Sequence, residues 1–392
     1  MAPQEGGDSI ESPLHVVMLL SNAFKPDPRV LKEARSLASA GHRVTVLCWD
    51  RLGSYASCEE IEGFSVHRIN VRSDYAKGSL QIFYLPLFGV RAIRRIFCLK
   101  PDVIHCHDLD TTLPGALAAS ICGLPWLFDA HECYPEQIRP QVIGPLYWLL
   151  LLLERVMARW ATHVITVGEI LAERFRSFGG RVTVVGNFQR MNTDAEPSGL
   201  SRRSLGLTPN DFVVAYIGGF TTDRVLWPLV EATRIFTRVT VLLVGDGPQR
   251  SAIEARLPRY PRVRYVGWVP QDMVPAYMAL ADVVYYGLNE THKNNRFSCP
   301  NALFDALVAC KPVLTTGIGE IARIVQHHQC GLVVQNPTPV NLAAAMSQLS
   351  NPVLRRGLAD NALKAAETRY NWTFAQKELL KVYDALGRLR AR

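Results

Sequence analysis

Two neighbouring apolar runs of the sequence each end in histidine and carboxylate residues. The first run ends in His105, His107 and Asp108, and the next one ends in His131 and Glu132. The carboxyl ends of parallel strands meet at one edge of a sheet, where open α/β sheets bind ligands. Imidazole and carboxylate groups there could hold a polar substrate, transfer protons or bind a metal ion. The pattern favours a polar substrate cleft, and a structural role for each histidine stays open.

A loop near the start of the chain supplies further charged side chains. Residues 15–20 form an apolar strand, and the loop after it carries Lys25, Asp27 and Arg29. A helix with apolar residues at helical spacing and a second strand follow, which predicts a right-handed βαβ unit in a parallel sheet. The unit lacks the glycine-rich turn of dinucleotide-binding proteins. Asp27 and Arg29 are candidates for contacting a substrate at this edge, with a solvated first-turn position as the alternative for Arg29.

Paired glycines in the second half of the chain are candidates for binding phosphate. Gly218 and Gly219 directly follow an apolar strand, and Arg224 lies five residues later. Two glycines let backbone N–H groups approach a diphosphate, and the arginine could neutralise its charge. The alternative is an ordinary strand-to-helix turn with a solvated arginine. The sequence contains neither G-x-x-x-x-G-K-[ST] nor G-x-S-x-G, so the P-loop class is excluded and no nucleophile elbow is present.

Residues 296–320 predict a helix, a short strand and a glycine turn in succession. Asn301 could cap the helix, and Asp305 lies one turn later on the same face. Gly317 and Gly319 form the turn before the next helix. The carboxylate could hold sugar hydroxyls, and the helix N-terminus could hold a phosphate. The alternative is an ordinary αβ unit with Asp305 facing solvent.

The same glycine turn formally resembles a dinucleotide-binding motif. Residues 317–322 match G-x-G-x-x-A after a strand and before a helix. Such a site also needs a carboxylate about 20 residues later to bind the ribose. No Asp or Glu occurs between Glu320 and Asp360, which disfavours a nicotinamide or flavin enzyme.

Composition limits the class of protein. The chain has 392 residues, 48% of them hydrophobic, which suits two ordinary domains and excludes general disorder. The net charge of +8 permits anionic partners, but no nucleic-acid motif is visible. Nine scattered cysteines without a C-x-x-C pair favour a reducing compartment over a disulfide framework or zinc site. The first fourteen residues are polar, and no signal peptide or transmembrane-length apolar run is visible.

The elements fall into two consecutive series of alternating strands and helices. A polar, punctuated stretch at residues 187–209 separates the series and is interpreted as a linker. Two βα series of similar size predict two doubly wound domains that face each other across a cleft. Such a cleft is the default position for a binding site.

The motifs taken together resemble a known family. In chain order they are DPRVLKEARSLASAGHRVTVL, PDVIHCHD, WLFDAHE, the paired glycines, LLVGDGP, VGWVP, SCPNALFDALVACKPVLTT and a closing Tyr-x-Trp helix. This order resembles the retaining glycosyltransferases of family 4, which have the GT-B fold: two Rossmann-like domains and a C-terminal helix that crosses back. The resemblance covers about residues 14–389. Single motifs are weak signals, but eight in the family's order are a strong one.

The resemblance implies that the two domains bind different substrates. Residues 14–190 would form the acceptor-binding domain, residues 208–372 the nucleotide-sugar domain, and residues 373–392 the closing helix. The co-substrate would be a nucleotide-diphosphate sugar, with no cofactor and no metal, because helix N-termini and basic side chains hold the diphosphate. The reaction would be hexosyl transfer with retention to a glycan, glycolipid or small molecule.

The resemblance also assigns residues to roles. The candidate catalytic residues are His131, Arg224 and Asp305. The candidate donor-binding residues are Gly218, Gly219, Gly267, Trp268, Val269, Asn301, Gly317 and Gly319. The candidate acceptor-side residues are Asp27, Arg29, His107 and Glu132.

The chain departs from the family pattern at three positions. Asp305 stands where the family usually has Glu, Phe297 replaces a second Glu, and Gly219 replaces an Arg. Lys293, Arg296 or Arg29 would have to supply the lost positive charge. These departures leave two alternatives open: a non-catalytic nucleotide-sugar-binding subunit and a GT-B nucleotide-sugar epimerase.

A cytoplasmic protein is expected, with peripheral contact to the inner face of an anionic membrane as a further hypothesis. Arg91, Arg94 and Arg95 lie among apolar residues in a short helix predicted near residue 90. Such a basic amphipathic helix is typical of membrane-surface contact, although a helix packed on its own sheet is the alternative. Nucleic acid is not expected as a partner.

Overall fold

The computed structural model describes residues 13–25, 27–73, 81–191 and 199–390. The chain forms two compact units, which are Met1–Val185 with Gln376–Arg392, and Gly186–Ala375. The predicted polar tail lies outside the described residues apart from its last two positions. Parts of the predicted linker and of the aromatic stretch after residue 73 lie outside them as well.

An eight-stranded sheet forms the centre of the first unit. Its strands are β1 (His15–Leu20), β2 (Arg43–Asp50), β3 (Cys58–Ile61), β4 (Phe64–Asn70), β5 (Val103–His107), β6 (Trp126–Ala130), β7 (His163–Thr166) and β8 (Val182–Val184). They lie in the order β3-β4-β2-β1-β5-β6-β7-β8, and only β3, which the sequence did not predict, is antiparallel to its neighbour. The order reverses between β1 and β5, so their carboxyl ends border a ligand-binding crevice.

Six helices connect these strands. They are α1 (Pro28–Ser39), α2 (Gln81–Leu99), α3 (Leu109–Cys122), α4 (Tyr134–Ile138), α5 (Gly144–Trp160) and α6 (Glu169–Ser177). The helix α2 is longer than predicted, and it packs on the sheet through Phe88, whose ring stacks on Trp49 at 4.9 Å. Among the described residues, no helix is both long and apolar enough to cross a lipid bilayer.

A six-stranded parallel sheet forms the centre of the second unit. Its strands are β9 (Phe212–Ile217), β10 (Val239–Val244), β11 (Val263–Gly267), β12 (Val283–Tyr286), β13 (Val313–Thr316) and β14 (Gly331–Val334). They lie in the order β11-β10-β9-β12-β13-β14. The order reverses between β9 and β12, so Gly218, which follows β9, lies at the switch point where such sheets bind ligands.

The helices of the second unit follow the predicted series. They are α7 (Trp227–Ala232), α8 (Arg250–Arg256), α9 (Val274–Leu280), α10 (Asn301–Val308), α11 (Gly319–His328), α12 (Pro339–Leu349), α13 (Pro352–Thr368) and the start of α14 (Trp372–Arg390). The helix α7 is shorter at both ends than the predicted helix over residues 225–236. Two doubly wound α/β sheets are thus confirmed.

The last helix, α14, contributes to both units. Its residues from Gln376 belong to the first unit. There Tyr383 is fully buried, and its hydroxyl lies 2.8 Å from Nδ1 of His105 at the centre of the first sheet. The C-terminal part of the chain therefore completes the core that the N-terminal part begins.

Candidate active site

The carboxyl ends of β5 and β6 carry a buried network centred on Asp129. The carboxylate of Asp129 is fully buried and accepts three hydrogen bonds from Arg29, at 2.7, 2.9 and 3.2 Å. The same guanidinium lies 3.0 Å from Glu33 and donates to the carbonyl oxygen of Val185 at 2.7 Å. A bidentate pair of this kind fixes both groups in one orientation. The sequence prediction misses Asp129, although a lone carboxylate in an apolar strand is a signal for it.

His131 is held by this network but remains accessible. Its Nε2 lies 3.3 Å from Oδ2 of Asp129 and 3.1 Å from Nδ1 of His107. Its Nδ1 lies 3.4 Å from Oδ2 of Asp108, whose other oxygen accepts from the His131 backbone N–H at 3.1 Å. The His131 side chain is 19% exposed, whereas that of Asp129 is 0% exposed. The network therefore orients one imidazole ring toward the outside of the sheet edge.

The charges around His131 favour its protonated form. Burial opposes protonation, but the carboxylates of Asp108 and Asp129 outweigh it and raise the pKa of His131 to about 9. Beneath it, burial and the neighbouring His105 lower the pKa of His107 to about 3, so that ring is neutral. Burial also opposes ionisation of Asp129, yet the charge of Arg29 holds the pKa of Asp129 well below its usual value. At neutral pH the site presents an imidazolium backed by carboxylates.

Asp108 has a strained backbone at this site. Its φ of 60° and ψ of 165° lie in a region that glycine tolerates and other residues rarely adopt. Its N–H donates to the carbonyl oxygen of Asp129 at 2.8 Å, which helps hold it there. The strained conformation places the carboxylate of Asp108 against His131.

The predicted acceptor-side residues differ in what they can contact. Asp27 caps α1 by accepting from the N–H of Val30 at 3.2 Å, and Glu132 is half-buried directly after His131. Arg29 is 4% exposed and His107 is 3% exposed. The solvated alternative for Arg29 is therefore wrong, and the acceptor-side role of both residues stays a prediction. The guanidinium of Arg29 and Nδ1 of His107 face the carboxylate of Asp129, whereas Nε2 of His107 is buried with no hydrogen-bond partner among the described residues.

Four residues of the network have the donor atoms of a metal site. Donor atoms of Glu33, His105, His107 and Asp129 lie within 4.8 Å of one another, and all four residues are buried. The guanidinium of Arg29, however, lies 3.0 Å from Glu33 and 2.7 Å from Asp129. A fixed positive charge at that point would repel a divalent cation. The donor set therefore does not fit a metal ion.

Replacing Glu33 by glutamine should change how stability depends on pH. Burial, only partly offset by Arg29, raises the pKa of Glu33 from 4.5 to about 8. Between these two pH values the folded chain keeps a proton on Glu33 that the unfolded chain releases. The contribution of Glu33 to the free energy of unfolding is therefore fully present below pH 4.5 and is lost as pH rises to about 8. Glu33→Gln removes that loss, so the variant should gain on the order of a few kcal/mol over the parent across this range.

Urea unfolding of both proteins at about pH 5 and about pH 8 measures the difference. Glu254→Gln, on an exposed position of α8, is the matched control. A pH-dependent gain of the same size in that control would contradict the role of burial at Glu33.

Loops at the carboxyl ends of β9, β10 and β11 are joined in the second unit. The N–H of Gly245 donates to the carbonyl oxygen of Gly267 at 2.7 Å. A Cβ on Gly245, whose φ is 140°, would come within 1.9 Å of the carbonyl oxygen of Gly218. Only glycine fits there. The hydroxyl of Tyr216 donates to the carbonyl oxygen of Gly219 at 2.6 Å, so this hydrogen bond from a buried tyrosine holds the glycine loop in place.

Arg224 lies after this loop, and its charge is already paired. Its Nη1 contacts the carboxylate of Asp223 and donates to Oδ1 of Asn295 at 3.3 Å. Its guanidinium also lies 5.1 Å from the ring centre of Tyr286. The alternative of a solvated arginine is therefore wrong. A diphosphate that binds Arg224 would have to share it with Asp223 or displace that carboxylate.

The buried amide of Asn295 links Arg224 to the glycine turn before α11. Its Nδ2 donates to the carbonyl oxygens of Asp223 at 2.8 Å and Asn289 at 2.9 Å. A Cβ on Gly319, whose φ is 76°, would lie 2.7 Å from the carbonyl oxygen of Asn295. Asn295 is not among the predicted site residues, because the polar residues on both sides of it hide its role.

The other predicted donor-side residues lie on α10 and at turns. Pro300, not Asn301, is the N-cap of α10, and the side chain of Asn301 instead accepts from Asn187 at 2.9 Å. The predicted cap is wrong because Asn301 already has helical geometry. Asp305 is half-buried one turn later. A Cβ on Gly317 would lie 2.0 Å from the side chain of Gln335.

An exposed tryptophan marks the end of β11. The side chain of Trp268 is 70% exposed, and Val269 beside it is half-buried. A large exposed ring at the carboxyl edge of a parallel sheet offers a flat apolar surface to a ligand. The position agrees with the predicted place of a nucleobase, whose binding remains a prediction.

Two doubly wound α/β sheets, each with candidate binding residues at the carboxyl ends of its strands, are the architecture of GT-B glycosyltransferases. Comparison with protein families leads to the same class. Residues 26–187 match the family described as glycosyl transferase 4-like domain, and residues 211–351 match glycosyl transferases group 1. The chain belongs to this glycosyltransferase family, which confirms the resemblance seen in its motifs.

Related sequences carry the same activity in their names. An uncharacterized glycosyltransferase of Methanocaldococcus jannaschii is 26% identical over 75% of this chain and 77% of its own length. The alpha-D-kanosaminyltransferase of Streptomyces kanamyceticus is 23% identical over 92% of this chain and 93% of its own.

Solved structures show the same fold. Sucrose-phosphate synthase of Thermosynechococcus elongatus superposes with a TM-score of 0.79 at 19% identity, over 96% of this chain and all of that one. Anabaena HepE in complex with UDP superposes with a TM-score of 0.73 at 18% identity, over 95% of this chain and all of that one.

Proposed function

We propose that this glycosyltransferase works with retention, moving a sugar from a nucleoside-diphosphate sugar to an acceptor hydroxyl. The accessible imidazolium of His131, held by Asp108 and Asp129, is the observation that supports this most. An oriented N–H donor can fix a hydroxyl of the donor sugar. The carboxylates behind the ring offset its charge, so a sugar that becomes cation-like in the transition state is not strongly repelled.

The proposed step needs no carboxylate nucleophile. The bond from the anomeric carbon to the diphosphate oxygen breaks, and the acceptor oxygen bonds to that carbon on the same face. The acceptor's hydroxyl proton passes to the departing phosphate oxygen. Each bond that breaks is thus matched by one that forms, and the products are the glycoside and the nucleoside diphosphate.

The second unit would hold the leaving diphosphate. The backbone N–H of Gly219 and the N-terminus of α11 at Gly319 would meet its negative charge. The N–H of Gly218 already donates to the carbonyl oxygen of Val244 at 3.0 Å, so Gly218 would contribute by letting the diphosphate approach the backbone closely. Arg224 would turn from Asp223 toward the phosphates. We propose that these groups replace a metal ion, with the exposed Lys293 and Arg296 just before α10 as further positive charges.

The remaining donor-side residues would hold the nucleoside. Gly267, Trp268 and Val269 would lie beside the nucleobase, and Asn301 and Asp305 beside the ribose. UDP sugars are the first donors to test, because a fold neighbour, Anabaena HepE, has been solved with UDP-glucose.

A thermal-shift screen of UDP, GDP, ADP, CDP and TDP sugars without added metal tests the donor proposal. We expect one nucleotide to stabilise the protein, by about 2.7 kcal/mol at 100 times its dissociation constant. Trp268→Ala should weaken that binding by about 1–3 kcal/mol if its ring stacks on the base. Trp148→Ala, which removes an equally exposed tryptophan from the first unit, is the matched control.

Other outcomes of that screen would support the two alternatives. No stabilisation by any nucleotide sugar, together with no transfer, would favour a non-catalytic subunit. Formation of a C2 epimer of the donor sugar without transfer would favour an epimerase, for which Asp108 and Glu132 are the candidate acid and base.

We further propose that the first unit contacts a membrane surface from the cytoplasmic side. Exposed apolar side chains run along and just before α5, at Ile143, Trp148, Leu149 and Leu152. Exposed arginines of α2 would meet anionic lipid. Sedimentation with anionic vesicles tests the contact, and Trp148→Ser with Leu152→Ser should abolish it.

A further inference from the structure

A large apolar cavity lies within the first unit. It has a volume of about 440 Å³ and is walled by α2, α3 and α5, with Leu85, Ile93, Leu113, Leu117, Leu146 and Leu150 among its lining residues. Protein interiors are close-packed, and voids larger than a water molecule are few. A cavity of this volume is within the range of pockets that hold organic ligands. Its apolar lining selects a hydrocarbon rather than a sugar.

The walls of this cavity reach the protein surface. Val90, Leu113 and Leu117 line it and are also exposed. The exposed apolar residues of α5 lie on one of the helices that wall it. A hydrocarbon chain could therefore enter from the surface without crossing a polar barrier.

Charged and polar groups lie together elsewhere in the lining. Asp110, Arg51 and Tyr134 all line the cavity. The charges of Asp110 and Arg51 interact with each other, and both act on the phenol group of Tyr134. The guanidinium of Arg51 lies 4.0 Å from the ring centre of Trp49 and donates to the carbonyl oxygen of Ser21. Within the described part of the chain, Oδ1 of Asp110 is buried with no hydrogen-bond partner. A hydroxyl group on a ligand would satisfy it.

This polar part of the cavity adjoins the histidine–carboxylate network. Asp110 lies two residues after Asp108, and the charges of these two side chains interact. The two carboxylate oxygens of Asp108 in turn contact the ring and the backbone N–H of His131. A ligand with its chain in the cavity would thus bring its polar head to the accessible imidazole. That position belongs to the acceptor in the proposed function.

We propose that the acceptor is an amphiphile whose single hydrocarbon chain occupies this cavity and whose hydroxyl-bearing head lies at Asp110 and Asp108. The inference rests on the proposed function, since it names the acceptor class of the same site. Arg51 adds a positive charge beside the head.

Calorimetric titration of the full-length protein with n-alkyl maltosides of 8 to 14 carbons, below their micelle concentrations, tests the proposal. Each added methylene should tighten binding about fourfold until the cavity is filled. Leu117→Trp should weaken binding of the longer chains at least tenfold by filling the cavity, and Leu113→Trp is a second variant with the same expectation. Ile121→Trp, one turn further on α3 at an exposed position outside the lining, is the matched control and should change binding less than twofold.

Binding that does not depend on chain length, or equal losses in Leu117→Trp and Ile121→Trp, would overturn the proposal. Nucleotide-sugar binding, measured separately by thermal shift, should be unchanged in Leu117→Trp. A protein that binds nucleotide sugar but no alkyl chain overturns this inference alone. One that binds alkyl chains but no nucleotide sugar overturns the proposed function and the acceptor assignment with it.

Discussion

Replacing His131 by alanine is expected to lower kcat about 10²- to 10³-fold, the range typical of losing one preorganised hydrogen-bond donor. The imidazolium of His131 is the accessible imidazole of the network, since His105 and His107 are buried. Asp108 beside it is 34% exposed, but a carboxylate has the opposite charge and cannot replace a cationic N–H donor. Donor nucleotide affinity should change little, because the residues proposed to hold the nucleotide belong to the second unit. Steady-state kinetics and the thermal shift with nucleotide measure the two effects separately.

The pH profile gives a sharper test of the protonated ring. If the imidazolium form is needed, activity should fall as pH rises through about 9, the pKa of His131. Asp108→Asn removes one of the carboxylates that raise this pKa, so the fall in activity should move to lower pH. A variant that is slower but has an unchanged profile would contradict the assignment.

His67→Ala is the matched control for His131. His67 is also a half-buried histidine of the first unit, on β4, where it lies 3.2 Å from Arg95. Its removal should leave kcat within about twofold, as expected for a residue outside the reacting groups. A comparable loss in both variants would indicate general destabilisation instead of a direct role for His131.

Asp129→Ala is expected to destabilise the first unit by about 3–5 kcal/mol. The substitution leaves the guanidinium of Arg29 buried beside Glu33, whose raised pKa favours the neutral acid, and removes the carboxylate that lies 3.3 Å from Nε2 of His131. Breaking a buried ion pair on one side is costly because the remaining charge stays out of water. The urea midpoint and the free energy of unfolding give the size of the loss.

Two further variants separate a charge effect from a loss of volume. Combining Asp129→Leu with Arg29→Met removes both charges and should recover part of the stability lost in Asp129→Ala. Glu169→Ala breaks the exposed pair with Arg176, 2.9 Å apart, and should cost less than about 1 kcal/mol. If the double variant is no more stable than Asp129→Ala, an uncompensated charge is not the cause.

The fold could be predicted because its signals are local. Apolar runs of four to eight residues that alternate with helical patterns indicate the strands of a parallel sheet. The strand β3 escaped prediction because its sequence, Cys-Glu-Glu-Ile, is polar and lies at the edge of the sheet. The start of α10 was misplaced by one residue, because Asn is favoured as a cap and Pro300 gives no such signal.

The site could be predicted only where a strand ends. His131 and Gly218 directly follow buried strands, and topology alone places them at a sheet edge. Arg29, in contrast, reaches Asp129, which is 100 residues away in sequence. Pairing at that separation depends on how helices pack on the sheet, which periodicity does not report. The same limit hid the apolar cavity, whose lining comes mainly from three helices and from Trp49 on β2.

The contribution of α14 to the first unit has a consequence for biosynthesis. Tyr383 reaches His105 only after the ribosome has made the entire second unit, so the first sheet emerges early and must wait for its last helix. Domains usually fold in the order in which they are translated. Here the later-made unit can finish folding first, and during that interval the nascent first sheet exposes apolar surface to chaperones and proteases.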